Sequence, residues 1–170
     1  MPDGDMNLKR ILFFLTVLGC SVSYAQEVPK ADPQKDPKLN ALLWMQNGAE
    51  YKTLTQQGYR LAAIQLGAGL KDKKWSADEV QIQADDYSEK KPAVILDVDE
   101  TVLDNSPFNA RNILDGTSFS LDSWNAWCLE EKARAIPGAL KFITAAKKQG
   151  VEVFYVTNRR DVVRNATINN

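Results

Sequence analysis

The sequence predicts an α/β domain built on a parallel sheet. Two apolar stretches, Ala93–Val98 and Val151–Val156, have the length and branching of buried strands. The first is entered through Pro92 and the second through Gly150. Between them, Pro137 at a first helical position and Gly150 just past the end bracket a helix over Gly138–Gln149. The resulting order of strand, helical excursion, helix, strand and helix is that of parallel α/β folds. Such runs suit strands covered on both faces. Ligands of these sheets sit at the carboxyl ends of the strands. Both polar clusters of interest, Asp97–Thr101 and Thr157–Arg160, fall there.

The remaining elements follow in chain order. Lys9 and Arg10 precede the apolar run Ile11–Gly19, and small residues come next, which is the pattern of a secretory signal. The run is too short to span a bilayer. Two processing routes fit. Val17-Leu18-Gly19-Cys20 resembles a bacterial lipobox, with the signal ending at residue 19 and Cys20 lipidated as a membrane attachment. Ser23-Tyr24-Ala25 instead fits ordinary cleavage, with a signal peptide over 1–25. Either route implies export, which with the family resemblance given below implies the periplasm or outer membrane of a Gram-negative bacterium. Residues 26–38, with three prolines, read as a linker, and the folded domain is placed at 39–170.

Leu39, Leu42, Leu43, Leu54, Leu61, Ile64 and Leu66 recur at roughly helical spacing, so 39–70 reads as helix. Gly48 and Gly58 leave open one kinked helix or two. Lys71–Lys74 reads as a turn, and Ala77–Tyr87 as a short helix or loop. Ser120 is a candidate cap for a helix over Leu121–Glu131, and Asp161–Ile168 looks helical.

Composition narrows the chemistry. The chain of 170 residues has a net charge of −1, which offers no basic field for a nucleic-acid polymer. It contains no histidine, which removes phosphohistidine, Ser-His-Asp and His-ligated zinc mechanisms. Chemistry must come from carboxylates, hydroxyls, amides, cations or an oxygen-bound metal. Beyond the signal region, Cys128 is the lone thiol and reads as small core filling.

The acids of AVILDVDETVLDNSP (93–107) admit three readings. Turn or cap carboxylates would explain one Asp, but two spaced by one residue directly after a strand are harder to explain that way. An EF-hand loop fails, because Val102 and Phe108 stand where Gly and Glu are needed. A magnesium-dependent phosphoryl-transfer site fits, because paired carboxylates repel unless a cation or proton joins them. Mg²⁺ takes a few such oxygens and keeps water and phosphate as its other ligands.

This stretch resembles the first motif of the haloacid dehalogenase (HAD) superfamily, Asp-x-Asp-x-Thr after a hydrophobic strand. VEVFYVTN (151–158) is similar to the second, a strand ending in Thr or Ser. More narrowly, LLWMQNGAEYKTLTQQGYRLA (42–62), DVDETVLDNSP, WNAWCLEEKARAIPGAL (124–140) and VFYVTNRR (153–160) resemble class C acid phosphatases. That bacterial outer-membrane lipoprotein family includes 5'-nucleotidases. The resemblance implies a HAD-like Rossmannoid sheet with an N-terminal helical segment and a small cap-type insertion.

It also implies roles. Asp97 becomes the nucleophile that forms an aspartyl-phosphate, and Asp99 the general acid and then base. The Asp97 carboxylate and the Asp99 carbonyl become Mg²⁺ ligands. Thr157 becomes the phosphate ligand, helped by the Asn158 N–H at the start of the next helix. Trp124, in the excursion, becomes a stacking surface for a nucleobase or other planar leaving group, with Asn125 a weaker candidate. Arg159 and Arg160 read as a solvated helix start.

The family's third motif, a Lys or Arg, and its fourth, one or two Asp, follow well after the second, and no residues here match them. The expectation is therefore a C-terminally truncated member with an incomplete sheet, nearly inactive and poorly folded on its own. The function expected of the family member is an exported Mg²⁺-dependent acid phosphatase acting on small phosphate monoesters, nucleotides among them. The alternatives are a non-catalytic envelope protein that binds a phosphorylated ligand or partner, and a HAD phosphotransferase.

Overall fold

The computed structural model describes residues 32–84 and 86–170. The expected export signal, its candidate cleavage sites, Cys20 and residues 26–31 of the expected linker lie outside them.

Two helices lead the domain, α1 over Leu39–Asn47 and α2 over Ala49–Gly69. The break falls at Gly48, whose extended backbone brings it against its predecessor: a Cβ there would sit 2.5 Å from the Trp44 carbonyl oxygen. Gly58 leaves α2 unbroken. The packed face of α2 is not the leucine face. Leu54, Leu61 and Ile64 are exposed, whereas Tyr51, Tyr59, Ala62 and Leu66 meet the core. A short helix, α3 (Glu79–Ile82), follows, capped by the Asp78 carboxylate on the Val80 N–H at 2.9 Å.

Strand β1 (Ala93–Leu96) pairs in parallel with β4 (Glu152–Tyr155), with Ala93 opposite Glu152 and Leu96 opposite Tyr155. Everything between them is the excursion. A two-residue ribbon, β2 (Leu103–Asp104) with β3 (Arg134–Ala135), closes a loop that holds α4 (Ser106–Asp115) and α5 (Leu121–Leu129). Pro107 suits the first turn of α4, and Gly116 ends that helix in the left-handed region. Ser120 caps α5 as its sequence predicts, accepting the Ser123 N–H at 3.1 Å. Helix α6 (Ala139–Lys148) then leads to β4, and a 3₁₀ turn over Asp161–Val163 leads to α7 (Arg164–Asn169).

Two cores result. Ile136, Ala139, Phe142 and Ile143 pack with α2 against Val94, Leu96 and Val153, on one face of the sheet. Gly138 admits this close approach: its φ is +101°, and a Cβ there would lie 3.0 Å from the Tyr59 ring. Val98, Leu103, Phe108, Trp127, Cys128, Ala133 and Val163 form the second core, beneath the excursion. Desolvation there pushes the Cys128 thiol above its ordinary value, as befits an inert filler.

One expectation is corrected. Among the described residues the sheet is covered on one face, not two. Ile95 is 72% exposed and Phe154 56% exposed, because their side chains alternate to the side opposite α2 and α6.

Candidate active site

Leu96 ends β1 and pairs with Tyr155, and the Val156 N–H donates to the Leu96 carbonyl at 2.9 Å. Asp97 is therefore one residue past the end of β1, and Thr157 two past the end of β4. The register of a parallel pair brings both to the same edge of the sheet. Asp97 is exposed, and its carboxylate accepts a 3.4 Å bond from the Thr101 hydroxyl.

The turn after Asp97 is tightly determined. The N–H groups of Val102 and Leu103 both donate to the Val98 carbonyl at 2.8 Å, and Glu100 N–H donates to the Leu103 carbonyl at 2.9 Å. Glu100 takes φ of +57°, an uncommon conformation for a residue with a side chain. Its carboxylate accepts the Asn105 N–H at 3.0 Å. Desolvation raises the Glu100 pKa above the ordinary carboxylate value, and the bond from Asn105 opposes that shift. The Tyr59 hydroxyl donates to the Thr101 carbonyl, so α2 braces the loop from outside.

Asp99 is held quite differently from Asp97. Arg159 Nε donates to its two oxygens at 3.0 and 3.2 Å, and Nη2 to Oδ1 at 2.6 Å. Asn105 Nδ2 adds a bond at 2.9 Å, and Asn105 Oδ1 in turn accepts the Trp127 indole N–H at 2.8 Å. The Arg159 side chain is 2% exposed. The expectation of a solvated Arg159 is thus overturned: its long side chain turns inward to meet the partly buried Asp99 carboxylate, whose geometry an arginine fork matches. Arg160 remains exposed.

Thr157 is half-buried, and its Oγ1 accepts the Arg159 N–H at 3.1 Å, leaving the hydroxyl proton to donate elsewhere. Asn158 is exposed and lies in irregular backbone, and the next helical turn begins at Asp161. The expected helix start at Asn158 is therefore replaced by a side-chain-stabilised turn. Trp124 is half-buried, with its ring centroid 5.1 Å from that of Phe108 and the Arg159 guanidinium carbon 5.4 Å from its centre. Asn125 turns its Oδ1 inward, where it finds no hydrogen-bond donor.

Among the described residues no group of three or more Asp, Glu, Cys or His side chains gathers as a metal cage. Two hard oxygens nevertheless suit Mg²⁺ in kind. One is the Asp97 carboxylate. The other is the Asp99 carbonyl, to which no backbone N–H donates among the described residues. The Asp99 carboxylate turns Oδ1 to Arg159 and Asn105, while Oδ2 takes a single longer bond from Arg159 Nε at 3.2 Å.

A parallel sheet with Asp-x-Asp-x-Thr past one strand and Thr past its neighbour is the layout of a HAD-type protein. The chain belongs to that superfamily: the model of HAD superfamily subfamily IIIB (acid phosphatase) matches residues 30–170. Among solved structures it is similar to the class C acid phosphatase from Bacillus anthracis, at 36% identity and a TM-score of 0.68. A second structure of that enzyme, with tungstate bound, matches at 35% identity and the same TM-score. Both matches cover 82% of this chain and 52% of the other, so the chain spans about half the length of these relatives.

Proposed function

We propose that this site belongs to an acid phosphatase that hydrolyses small phosphate monoesters through Asp97. The observation that supports the reading is the parallel register of β1 and β4, which brings the two strand ends, followed by Asp97 and Thr157, to one edge of the sheet. Family membership supports the same chemistry.

An Asp97 oxygen attacks phosphorus, and the bond to the ester oxygen breaks. Asp99 gives its proton to that leaving oxygen, which departs as an alcohol. Asp99 then takes a proton from water, the water oxygen attacks phosphorus, and the bond to Asp97 breaks to release phosphate. The Thr157 hydroxyl donates to a phosphoryl oxygen, a contact that strengthens as charge develops there. Mg²⁺, held by the Asp97 carboxylate and the Asp99 carbonyl, would supply positive charge to the phosphoryl oxygens. Trp124 offers the planar contact that favours a nucleotide ester. The basic and apolar start of the chain supports export, with attachment through Cys20 or release after Ala25.

The test is beryllofluoride with Mg²⁺ on the 170-residue chain, read by ¹⁹F NMR. A bound signal that disappears in Asp97→Ala is expected, and whatever hydrolysis of p-nitrophenyl phosphate the chain supports should be lost in Asp97→Asn and on adding EDTA. Equal signals in the wild type and Asp97→Ala would sink the nucleophile assignment.

A further inference from the structure

Arg159 has no part in the reaction as written above, yet every nitrogen of its guanidinium is committed. Nε and Nη2 hold Asp99, Nη2 also reaches Asn105 Oδ1 at 3.4 Å, and Nη1 donates to the Thr167 hydroxyl at 3.1 Å. Thr167 is itself tied down, its hydroxyl donating to the Val163 carbonyl at 2.9 Å. The Trp124 ring lies against the guanidinium. A planar fork fixed in this way dictates both the position and the plane of the carboxylate it meets. Asn105, pinned by the Trp127 indole, adds a further restraint on Oδ1.

Two features make this more than an ordinary buried ion pair. Arg159 lies two residues after Thr157, and its own N–H donates to the Thr157 hydroxyl. The residue therefore bridges the loop after β4 and the loop after β1, touching a member of the proposed site on each. Asp97, in contrast, is left untouched by it.

We propose that Arg159 is the positioning residue for Asp99. It sets the orientation in which the Asp99 carboxyl meets the leaving-group oxygen, and it keeps that orientation in register with Thr157. This rests on the phosphatase reading of Asp97 and Asp99. Proton delivery matters most when the leaving group is a poor one, so a misplaced Asp99 slows alkyl esters more than nitrophenyl esters. Binding of the ester does not depend on that orientation.

The experiment compares Arg159→Lys, which keeps the charge and loses the fork, with the wild type and with Asp99→Asn. On glycerol phosphate, Arg159→Lys is expected to lower kcat by roughly 10² while KM stays within about twofold. On p-nitrophenyl phosphate the loss is expected to stay below about threefold, since that leaving group needs little proton assistance. Placed in the Asp99→Asn background, Arg159→Lys should cost nothing further. Equal losses on both esters, or equal losses in both backgrounds, would overturn the proposal in favour of a purely structural pair.

A second readout needs no turnover. The Arg159 Nε–H, followed by ¹⁵N NMR hydrogen exchange, should be protected in the wild type and exchange at least about tenfold faster in Asp99→Asn. Unchanged exchange overturns the proposal. Where the wild-type chain turns over neither ester, the beryllofluoride signal tests the phosphatase reading and the Nε–H exchange decides whether Arg159 holds Asp99.

Discussion

Two arginines in this molecule do the same things in different surroundings. Arg111 forks onto Glu130, with Nη2 2.8 Å from Oε2, and lies 5.0 Å from the Trp127 ring centre. Arg159 forks onto Asp99 and lies over Trp124, three residues earlier on the same helix. The first pair is half in water, with side chains 48% and 29% exposed; the second is at 2% and 17%. Identical partners thus give unequal consequences. In water the fork replaces hydration that was already favourable. Inside, each charge has lost its hydration and depends on the other. The buried unit is therefore the one that fixes geometry, and it is the one next to the proposed chemistry.

The comparison breaks most clearly if the buried arginine is removed. Arg159→Met retains most of the side-chain volume and leaves Asp99 without its cation. A loss of about 3–5 kcal/mol is expected by urea unfolding. Adding Asp99→Asn to Arg159→Met should recover part of that loss, since the stranded charge goes with it. A loss below about 1 kcal/mol would show that the burial of this pair has no energetic weight.

A neutral member of the same network should matter less. Asn105→Ala strips the acceptor from the Trp127 indole and one donor from Asp99 while leaving the guanidinium fork in place. The expected cost is about 1–3 kcal/mol, the range for a buried donor left without a partner. Tryptophan fluorescence during urea unfolding measures the stability. A variant as stable as the wild type would mean that water takes the place of the amide.

These two arginines also mark the limit of what the sequence discloses. Elements with local signatures were legible: the two strands, the Ser120 cap and the glycine after α6 are each set by neighbours within a few residues, whereas the choice between Gly48 and Gly58 as the helix break was left open. The positions of Asp97, Asp99 and Thr157, just past the ends of apolar strands, were legible for the same reason, while the roles proposed for them come from the family resemblance. Arg159 was not. Its partner Asp99 is 60 positions earlier, and an arginine beside another arginine at a loop start reads as solvated. The spacing showed that α2 is a helix but not which face packs, and Tyr51, Tyr59, Ala62 and Leu66 take the core. Double coverage of the sheet was inferred from apolar content alone, and Ile95 and Phe154 show that such content does not by itself place a partner on a face.

The smallest expected effect sharpens the exposed end of the comparison. The fork from Arg111, with help from Lys132, holds the Glu130 carboxyl down at about 2. A carboxylate whose folded pKa lies below its unfolded value stabilises the fold at pH values above the unfolded one. That contribution is lost as pH falls through the window from about 4.5 to about 2. Solvent screening at this site limits it to less than about 1 kcal/mol. Arg111→Gln should therefore shift the Glu130 titration, followed by carboxyl ¹³C NMR, back towards ordinary carboxylate values. It should change stability at neutral pH by no more than the same small amount and leave hydrolysis of p-nitrophenyl phosphate unaltered. High salt should reproduce part of the shift in the wild type, because an exposed pair is screened and the buried Arg159 pair is not. A stability loss from Arg111→Gln as large as that from Arg159→Met would mean that the fork and its tryptophan, rather than burial, set the value of these pairs.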